Sequence, residues 1–296
     1  MLSKVIRGKQ RRPRRVLLYG PHGWGKSTWA SHAPGAIFLP TEDGLSDIDC
    51  DRVPLVKTLG EFNTHLSSLL QGDHDYKTVV VDTLDWLERL IWQTVADENE
   101  KKSIDDIPYY RGYRLANTHW DFVLKSLDHL RTSGMAVILL AHARAAKVEP
   151  PDSDSYTRYE PDLYKDVAPA LQEWCDEVLF GSYKRDVIRK DEGFEKRRGV
   201  AIGGGERVVY TREMPTHLAK RRIELPDEMP ADFGVYARHI AAEMKGRTGG
   251  ASVNDVIKAA GKVHEELAKV MVMDGDIGGI VRDGSSKPKQ EEVAHG

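Results

Sequence analysis

One nine-residue segment restricts what this chain can fold into more than any other feature. Residues 20–28 read GPHGWGKST and fit the pattern G-x-x-x-x-G-K-[ST]. The apolar run RRVLLYG (14–20) precedes it, and a helix is predicted from Lys26 to Ala33, where Pro34-Gly35 would end it. A glycine loop between a strand and a helix presents backbone N–H groups to phosphate, so the sequence predicts a phosphate-binding loop.

The motif also assigns roles to individual side chains. Lys26 would reach the β- and γ-phosphates of a nucleotide, and Ser27 would hold Mg²⁺. Asp82 ends the apolar run TVVVD (78–82), where its carboxylate could join the magnesium shell; the alternative is that it caps the next helix. The spacing differs from G-x-G-x-x-G, which disfavours NAD. The predicted nucleotide-binding residues are Gly20, Pro21, His22, Gly23, Trp24, Gly25, Lys26, Ser27 and Thr28.

Apolar runs alternate with helical patterns through the first half of the chain, which predicts an α/β fold with a mostly parallel central sheet flanked by helices. Beyond Val178, an antiparallel C-terminal extension is expected, with a charged, glycine-rich loop at 191–206. The predicted strands are at 14–20, 36–40, 78–82 and 135–143, followed by segments of the extension at 178–190 and 207–213. Two further helices are predicted, at 231–245 and 252–273. The expected domains are a basic arm (1–13), a core (14–245), a helical extension (246–273) and a mobile tail (274–296).

Composition narrows the class of protein. With 40% apolar residues, 30% charged residues and a net charge of −3, the 296-residue chain has ordinary globular composition. The basic arm is not followed by an apolar segment of the kind found in secretory signals, and no apolar run approaches a membrane span. Cys50 and Cys175 are too few and too far apart to predict a disulfide framework or a zinc site. We therefore expect a cytoplasmic protein without membrane contact.

Three further stretches resemble the RecA-like branch of P-loop ATPases, especially phage-encoded recombination ATPases with a minimal RecA core. IFLPTEDGL (37–45) places Glu42 where that family has the acid that polarises the attacking water. VILLAHARA (137–145) places His142 at the polar sensor of the γ-phosphate, although RecA itself has Gln there. The residues alone also allow a solvated loop acid and an edge histidine. The resemblance covers roughly residues 14–245 and implies ATP as the nucleotide.

The third stretch, HLAKRRIEL (217–225), resembles the K-x-R element of RecA-like oligomers. The resemblance implies that Lys220 and Arg222 reach the nucleotide of a neighbouring subunit in a homo-oligomeric ring or filament, as an arginine finger does. An exposed basic strand end is the alternative.

RecA-like proteins bind single-stranded DNA through the loops that follow the Walker B region, which corresponds here to the run ending at Asp82, and the sensor strand, which ends here near His142. Long polar segments occur at both places, at 98–114 and 143–165. Tyrosine stacks on bases and Arg or Lys contacts phosphate, so both segments are candidates for single-strand binding. The candidate residues are Tyr109, Tyr110, Arg111, Arg114, Arg144, Lys147 and Arg158. The second segment also contains five acids, which leaves a purely structural loop open, and the basic residues at 4–15 are another candidate.

The resulting hypothesis is a RecA-like ATPase that acts on single-stranded DNA in phage recombination or strand annealing, in the bacterial cytoplasm. A single-strand binding protein or another replication or recombination protein would be a further partner. Two alternatives remain open: a nucleotide-gated loader that mainly binds proteins, and a P-loop kinase of small molecules.

Overall fold

The computed structural model describes residue 5 and residues 12–184, 186–191, 197–202 and 205–245. Its strands are β1 (Arg15–Gly20), β2 (Ala36–Pro40), β3 (Asp51–Arg52), β4 (Thr78–Asp82), β5 (Ala136–Val148), β6 (Tyr156–Pro161), β7 (Glu177–Tyr183), β8 (Asp186–Asp191), β9 (Arg197–Ile202), β10 (Arg207–Tyr210) and β11 (Glu228–Pro230). Its α-helices are α1 (Lys26–Ser31), α2 (Leu59–Leu70), α3 (Leu84–Glu98), α4 (Arg111–Thr132), α5 (Val167–Trp174) and α6 (Phe233–Lys245). The predicted helix 252–273 and the tail lie outside the described residues.

The central sheet has the strand order β11-β10-β7-β1-β5-β4-β2-β3. The strands from β7 to β3 in this order are parallel, while β10 runs antiparallel to β7 and β11 antiparallel to β10. The predicted α/β fold, with a mostly parallel sheet and antiparallel strands on its C-terminal side, is confirmed. Parallel strands end at the same edge of the sheet, so this order brings the ends of β1, β5, β4 and β2 together.

Helices cover both faces of the sheet because the side chains of each strand alternate between two apolar layers. On one face, Leu17 and Tyr19 of β1 belong to a core formed with α2, α3 and α4. On the other face, Val16 and Leu18 belong to a core formed with α1 and α6. Burial on both faces explains why these strands are unbroken apolar runs in the sequence. Among the described residues, no helix combines the length and apolarity that a membrane span requires.

Four predictions of local structure are wrong. Most of segment 143–165 is not a loop, because β5 continues to Val148 and pairs antiparallel with β6. In segment 98–114, α4 already begins at Arg111, so Arg111 and Arg114 are helical. The expected antiparallel segment that begins at Val178 is instead part of β7, a parallel core strand. The later part of that segment, β8, pairs with β9, which lies within the expected loop 191–206. The predicted helix 26–33 ends earlier, at Ser31.

Candidate nucleotide-binding site

The glycine loop begins at the end of β1 and is packed tightly against β7. A Cβ atom on Gly20 would lie 2.6 Å from the carbonyl oxygen of Gly181, so only glycine fits without a backbone shift. Trp24, 1% exposed, packs against Gly181 and donates its indole N–H to the carbonyl of Ser182 (2.8 Å). Gly25, with φ of 99°, immediately precedes α1. The loop is therefore held as a rigid turn before the helix, as phosphate binding requires.

Lys26 is buried within this loop. Its ammonium donates to the carbonyls of Gly20 (3.2 Å) and Pro21 (3.3 Å). Burial lowers the pKa of Lys26, although the carboxylates of Asp82 and Glu42 partly offset this effect. A desolvated ammonium whose hydrogen bonds within the described residues go to neutral carbonyls can exchange them for phosphate oxygens, which is the role that the motif predicts for Lys26.

Asp82 and Ser27 form a site suited to Mg²⁺. The Ser27 hydroxyl lies close enough to the Asp82 carboxylate to lower its pKa, and among the described residues Oδ1 of Asp82 has no hydrogen-bond partner although it is buried. Burial raises the pKa of Asp82 to about 6, with a further contribution from Glu42. Hard oxygen donors and an unsatisfied buried carboxylate fit Mg²⁺, which would supply positive charge to the phosphates.

Glu42 lies beside Asp82 because the ends of β2 and β4 are joined by hydrogen bonds. The backbone N–H groups of Thr41 (2.7 Å) and Glu42 (3.4 Å) both donate to the carbonyl of Asp82. The Thr41 hydroxyl bridges the backbone N–H and carbonyl of Thr83 (2.9 and 2.7 Å). The Glu42 carboxylate accepts from the Thr83 hydroxyl (3.4 Å) and remains 27% exposed, so water can reach it.

His142 sits next to the glycine loop and is fixed by a residue that the sequence did not predict. In the β1–β5 register it pairs with Gly20, and its ring stacks on His22 with 3.7 Å between centroids. Asp85 accepts both the backbone N–H of His142 (3.0 Å) and a hydrogen bond from its Nδ1 (2.9 Å). Burial opposes ionisation of Asp85, but these two bonds outweigh it and hold the pKa of its carboxyl below the usual value. Since Asp85 engages Nδ1, Nε2 lies towards Glu42, 3.9 Å from Oε1.

Ligand atoms of Glu42, Asp85 and His142 lie within 4.8 Å of one another, so the three side chains could hold a metal ion. We interpret them as a hydrogen-bond network, because each oxygen of Asp85 already accepts from His142. In the sequence, Asp85 looks like an ordinary acid in the first turn of a helix, which is where such acids commonly occur. Its position three residues after Asp82, in the first turn of α3, was the sequence feature that could have identified it as a site residue.

Lys220 and Arg222 lie at the opposite edge of the sheet, beside the start of β7. The Lys220 ammonium donates to the carbonyls of Gln172 (2.7 Å), Glu173 (3.0 Å) and Cys175 (2.8 Å), where α5 ends. Arg222 contacts Asp176 (3.2 Å) and has a side chain 47% exposed. Neither side chain reaches the glycine loop of its own subunit, so a role in trans stays a prediction. Lys220 already has a structural role, because its ammonium satisfies carbonyls at the end of α5.

The predicted DNA-binding residues divide into two groups. Tyr109 and Tyr110 are 92% and 73% exposed, and each has left-handed backbone torsions, with φ of 59° and 54°. Lys165 lies over the Tyr110 ring at 5.9 Å. The exposed Arg111 and Arg114 follow on α4, and within the described residues neither forms an ion pair with an acid.

The second group, on the β5–β6 hairpin, is less free to meet phosphate. Lys147 is paired with Glu149, and Arg158 is paired with Glu160 (2.7 Å). Arg158 also contacts Glu213 (3.2 Å), and Arg144 is half-buried. The structure therefore brings Tyr109, Tyr110 and Lys165 together as one exposed surface, which we call the tyrosine surface, whereas two of the three candidate cations on the hairpin, Lys147 and Arg158, are paired with acids.

The basic residues at 4–15 also fall into two groups, those that form ion pairs with the core and those of the remaining arm. Arg14 forms an ion pair with Glu177, and Arg15 contacts Asp176 (3.4 Å) and Asp128 (3.0 Å). These two cations therefore belong to the core. Most of the remaining arm lies outside the described residues.

Comparison with known proteins agrees with this geometry. A family model described as an AAA domain matches residues 12–223. No curated protein sequence is significantly similar. Among solved structures, the flagellar accessory protein FlaH from Methanocaldococcus jannaschii is similar over 69% of this chain and 87% of its own, with 9% identity and a TM-score of 0.34. A TM-score this low supports no conclusion about function.

Proposed function

The chain belongs to the AAA domain family of P-loop NTPases, and from this premise we propose that it hydrolyses ATP with Mg²⁺ and that single-stranded DNA stimulates the hydrolysis. One observation carries the proposal: Lys26, Asp82, Glu42 and His142 converge at the carboxyl edges of four adjacent strands. A cation for phosphate, a metal ligand, an acid exposed to water and an oriented imidazole are the groups that phosphoryl transfer to water needs.

The positions of the side chains suggest a division of work in hydrolysis. Backbone N–H groups of the loop and the Lys26 ammonium would hold the β- and γ-phosphates. Glu42, partly exposed, would orient a water for in-line attack. Asp85 accepts from Nδ1 and would keep Nε2 of His142 directed towards the same space, so that His142, when its ring carries both protons, can donate a hydrogen bond from Nε2 to the γ-phosphate or to the released phosphate.

The tyrosine surface supports the proposal that the second ligand is single-stranded DNA. Exposed rings stack on bases without regard to sequence, and adjacent cations attract the backbone. Contacts lead from the surface towards His142. The Tyr110 ring lies 6.4 Å from Tyr113, which stacks on Tyr164 at 4.2 Å, and the backbone N–H of Asp162 donates to the carbonyl of His142 (2.8 Å). Binding of DNA to the surface would thus be coupled to the position of the His142 imidazole.

Assembly into a ring or filament is the remaining part of the proposal. Arg222 is half-exposed at an edge that faces away from the glycine loop of its own subunit. In a head-to-tail oligomer this edge could face the nucleotide of the next subunit, where an arginine would stabilise the transition state.

Steady-state ATP hydrolysis with and without single-stranded DNA tests the proposal. The double variant Tyr109→Ala/Tyr110→Ala should keep basal turnover and lose the stimulation by DNA. Phe122→Ala, which removes an aromatic ring 51% exposed elsewhere on α4, is the matched control and should retain it. Turnover that DNA does not change in the wild type would contradict the DNA part of the proposal and leave the ATPase part standing.

A further inference from the structure

Two acids one turn apart on α3 hold two different segments of the chain. Asp85 accepts hydrogen bonds from the backbone N–H (3.0 Å) and from Nδ1 (2.9 Å) of His142. Glu88, three residues later and therefore on the same face of the helix, accepts the backbone N–H of Tyr164 with both of its oxygens (3.1 and 3.0 Å). One turn of α3 thus contacts both the imidazole of the candidate site and the segment that follows β6.

Glu88 occupies a position where an apolar side chain would be more stable. It is 3% exposed. Within the described part of the chain, its hydrogen bonds come from one donor, the backbone N–H of Tyr164, and no Lys or Arg side chain forms an ion pair with it. A carboxyl group buried with a single neutral donor opposes folding more than an apolar side chain of similar size does. Hydrolysis as derived above does not use this carboxyl group, so the bond to Tyr164 is what the residue contributes.

Tyr164 belongs to a short connection, residues 162–165 between β6 and α5, that is fixed along its length. At its start, the backbone N–H of Asp162 donates to the carbonyl of His142 (2.8 Å). Near its end, the carbonyl of Tyr164 accepts from two backbone N–H groups in the first turn of α5 (both 3.0 Å). Leu163 is 2% exposed and packs in the core. Because close-packed interiors transmit strain, a displacement of this connection is passed to the elements that hold it.

Side chains of the 162–165 connection reach the tyrosine surface. The Tyr164 ring lies parallel to that of Tyr113, with 4.2 Å between centroids and 2° between planes. The Tyr113 ring is in turn 6.4 Å from that of Tyr110. The Lys165 ammonium lies 5.9 Å from the Tyr110 ring and 6.0 Å from the Tyr164 ring. A base stacked on Tyr110 and a phosphate at Lys165 therefore act on the residue whose backbone Glu88 holds.

We propose that Glu88 is a positioning residue that couples the tyrosine surface to His142. DNA on that surface displaces the ring of Tyr164, and the bond from its backbone to Glu88 transmits the displacement to α3. Asp85, on the same turn of α3, then changes the orientation of the imidazole. The inference rests on the proposed function, because it presumes that DNA binds the tyrosine surface and that His142 takes part in hydrolysis. It adds the residue on which the effect of DNA on turnover depends.

Turnover of Mg-ATP with and without saturating oligothymidylate, expressed as the ratio of the two rates, tests the role of Glu88. Glu88→Leu keeps a side chain of similar size but removes the acceptor. It should lower this ratio from its wild-type value to about one, while the affinity for a fluorescent oligothymidylate, measured by anisotropy, stays within about threefold. Glu88→Gln retains a carbonyl oxygen that can accept the N–H of Tyr164 and should keep the wild-type ratio.

Two further variants separate coupling from general loosening of the fold. Glu88→Ala removes the acceptor without adding an apolar side chain; it should behave as Glu88→Leu does and replaces it if urea denaturation shows that the leucine variant is not folded. Val95→Ala shortens a fully buried side chain two turns further along α3 and is the matched control for loosened packing, so it should keep the wild-type ratio.

The outcomes distinguish this inference from the proposed function. A wild-type ratio in the folded Leu or Ala variant of Glu88, a ratio of about one in Glu88→Gln, or an equal loss in Val95→Ala would overturn the coupling role of Glu88 and leave the proposed function standing. A wild type whose turnover DNA does not change would overturn the DNA part of the proposed function, and the coupling with it.

Discussion

Replacement of Glu88 by glutamine tests how a buried carboxylate near the Asp85–His142 network affects stability. Glu88, on α3, is 3% exposed, and both of its oxygens accept from the backbone N–H of Tyr164 (3.1 and 3.0 Å). Burial raises its pKa from 4.5 to about 7; Asp162 and Asp85 add to the effect, while the bond from Tyr164 opposes it. The carboxyl group is therefore more basic in the folded chain than in the unfolded one.

The sign of the effect follows from proton binding. Between pH 4.5 and about 7 the folded state binds the proton more tightly, so the free energy of unfolding decreases as the pH rises through this window. At about 1.4 kcal/mol per pKa unit, the wild type loses at most about 3 kcal/mol by pH 8. Glutamine is neutral throughout, so Glu88→Gln should equal wild type near pH 4.5 and exceed it by up to about 3 kcal/mol at pH 8.

Urea denaturation of both proteins at pH 5, 6, 7 and 8 measures this difference. Glu100→Gln, which changes an exposed glutamate just after the same helix, is the control and should change stability by less than about 0.5 kcal/mol at every pH. A difference between Glu88→Gln and wild type that does not depend on pH, or that decreases towards pH 8, would refute the reasoning.

Three other substitutions probe the site and the edge of the sheet. Asp85→Asn should lower turnover about tenfold or more while ADP affinity stays within about twofold, because it disturbs the orientation of His142 and not phosphate binding; unchanged turnover would exclude the network from catalysis. Lys220→Met should destabilise the fold by about 1–3 kcal/mol in urea, since it leaves partly buried carbonyls at the end of α5 without this donor. Arg222→Ala should cost less than about 1 kcal/mol but reduce ATPase activity, and mixing it with Lys26→Ala protein should restore part of that activity; no restoration would remove support for a role in trans.

Strands buried on both faces could be predicted from the sequence. The apolar runs 36–40 and 78–82 coincide with β2 and β4, because protein covers both faces of the sheet at these strands and nearly all of their residues are buried. The second half of β5 could not be predicted in this way. From Ala143 onwards its residues are half-buried or exposed in alternation, and its partner β6 is similarly polar, so neither has the composition of a core strand.

The parts of the site that lie next to a strand recognisable in the sequence could be predicted. The parts that depend on the order of the strands in the sheet could not. The glycine loop and Asp82 each follow a strand that the sequence identifies, and the structure places them together. Arg207 reaches the carbonyl of Trp24 in the loop (3.1 Å) only because β10 extends the sheet beyond β7, an arrangement that no local pattern specifies. Asp85 was missed for a different reason, since its partner His142 is 57 residues away in sequence.

Steady-state hydrolysis of Mg-ATP by wild type and by Lys26→Ala, at matched protein concentration, tests the central claim most directly. The account predicts measurable turnover by the wild type and none above background in the variant, since the loop ammonium is the group that neutralises the β- and γ-phosphates. Turnover by Lys26→Ala at the wild-type rate would contradict the assignment of the glycine loop as the catalytic nucleotide site.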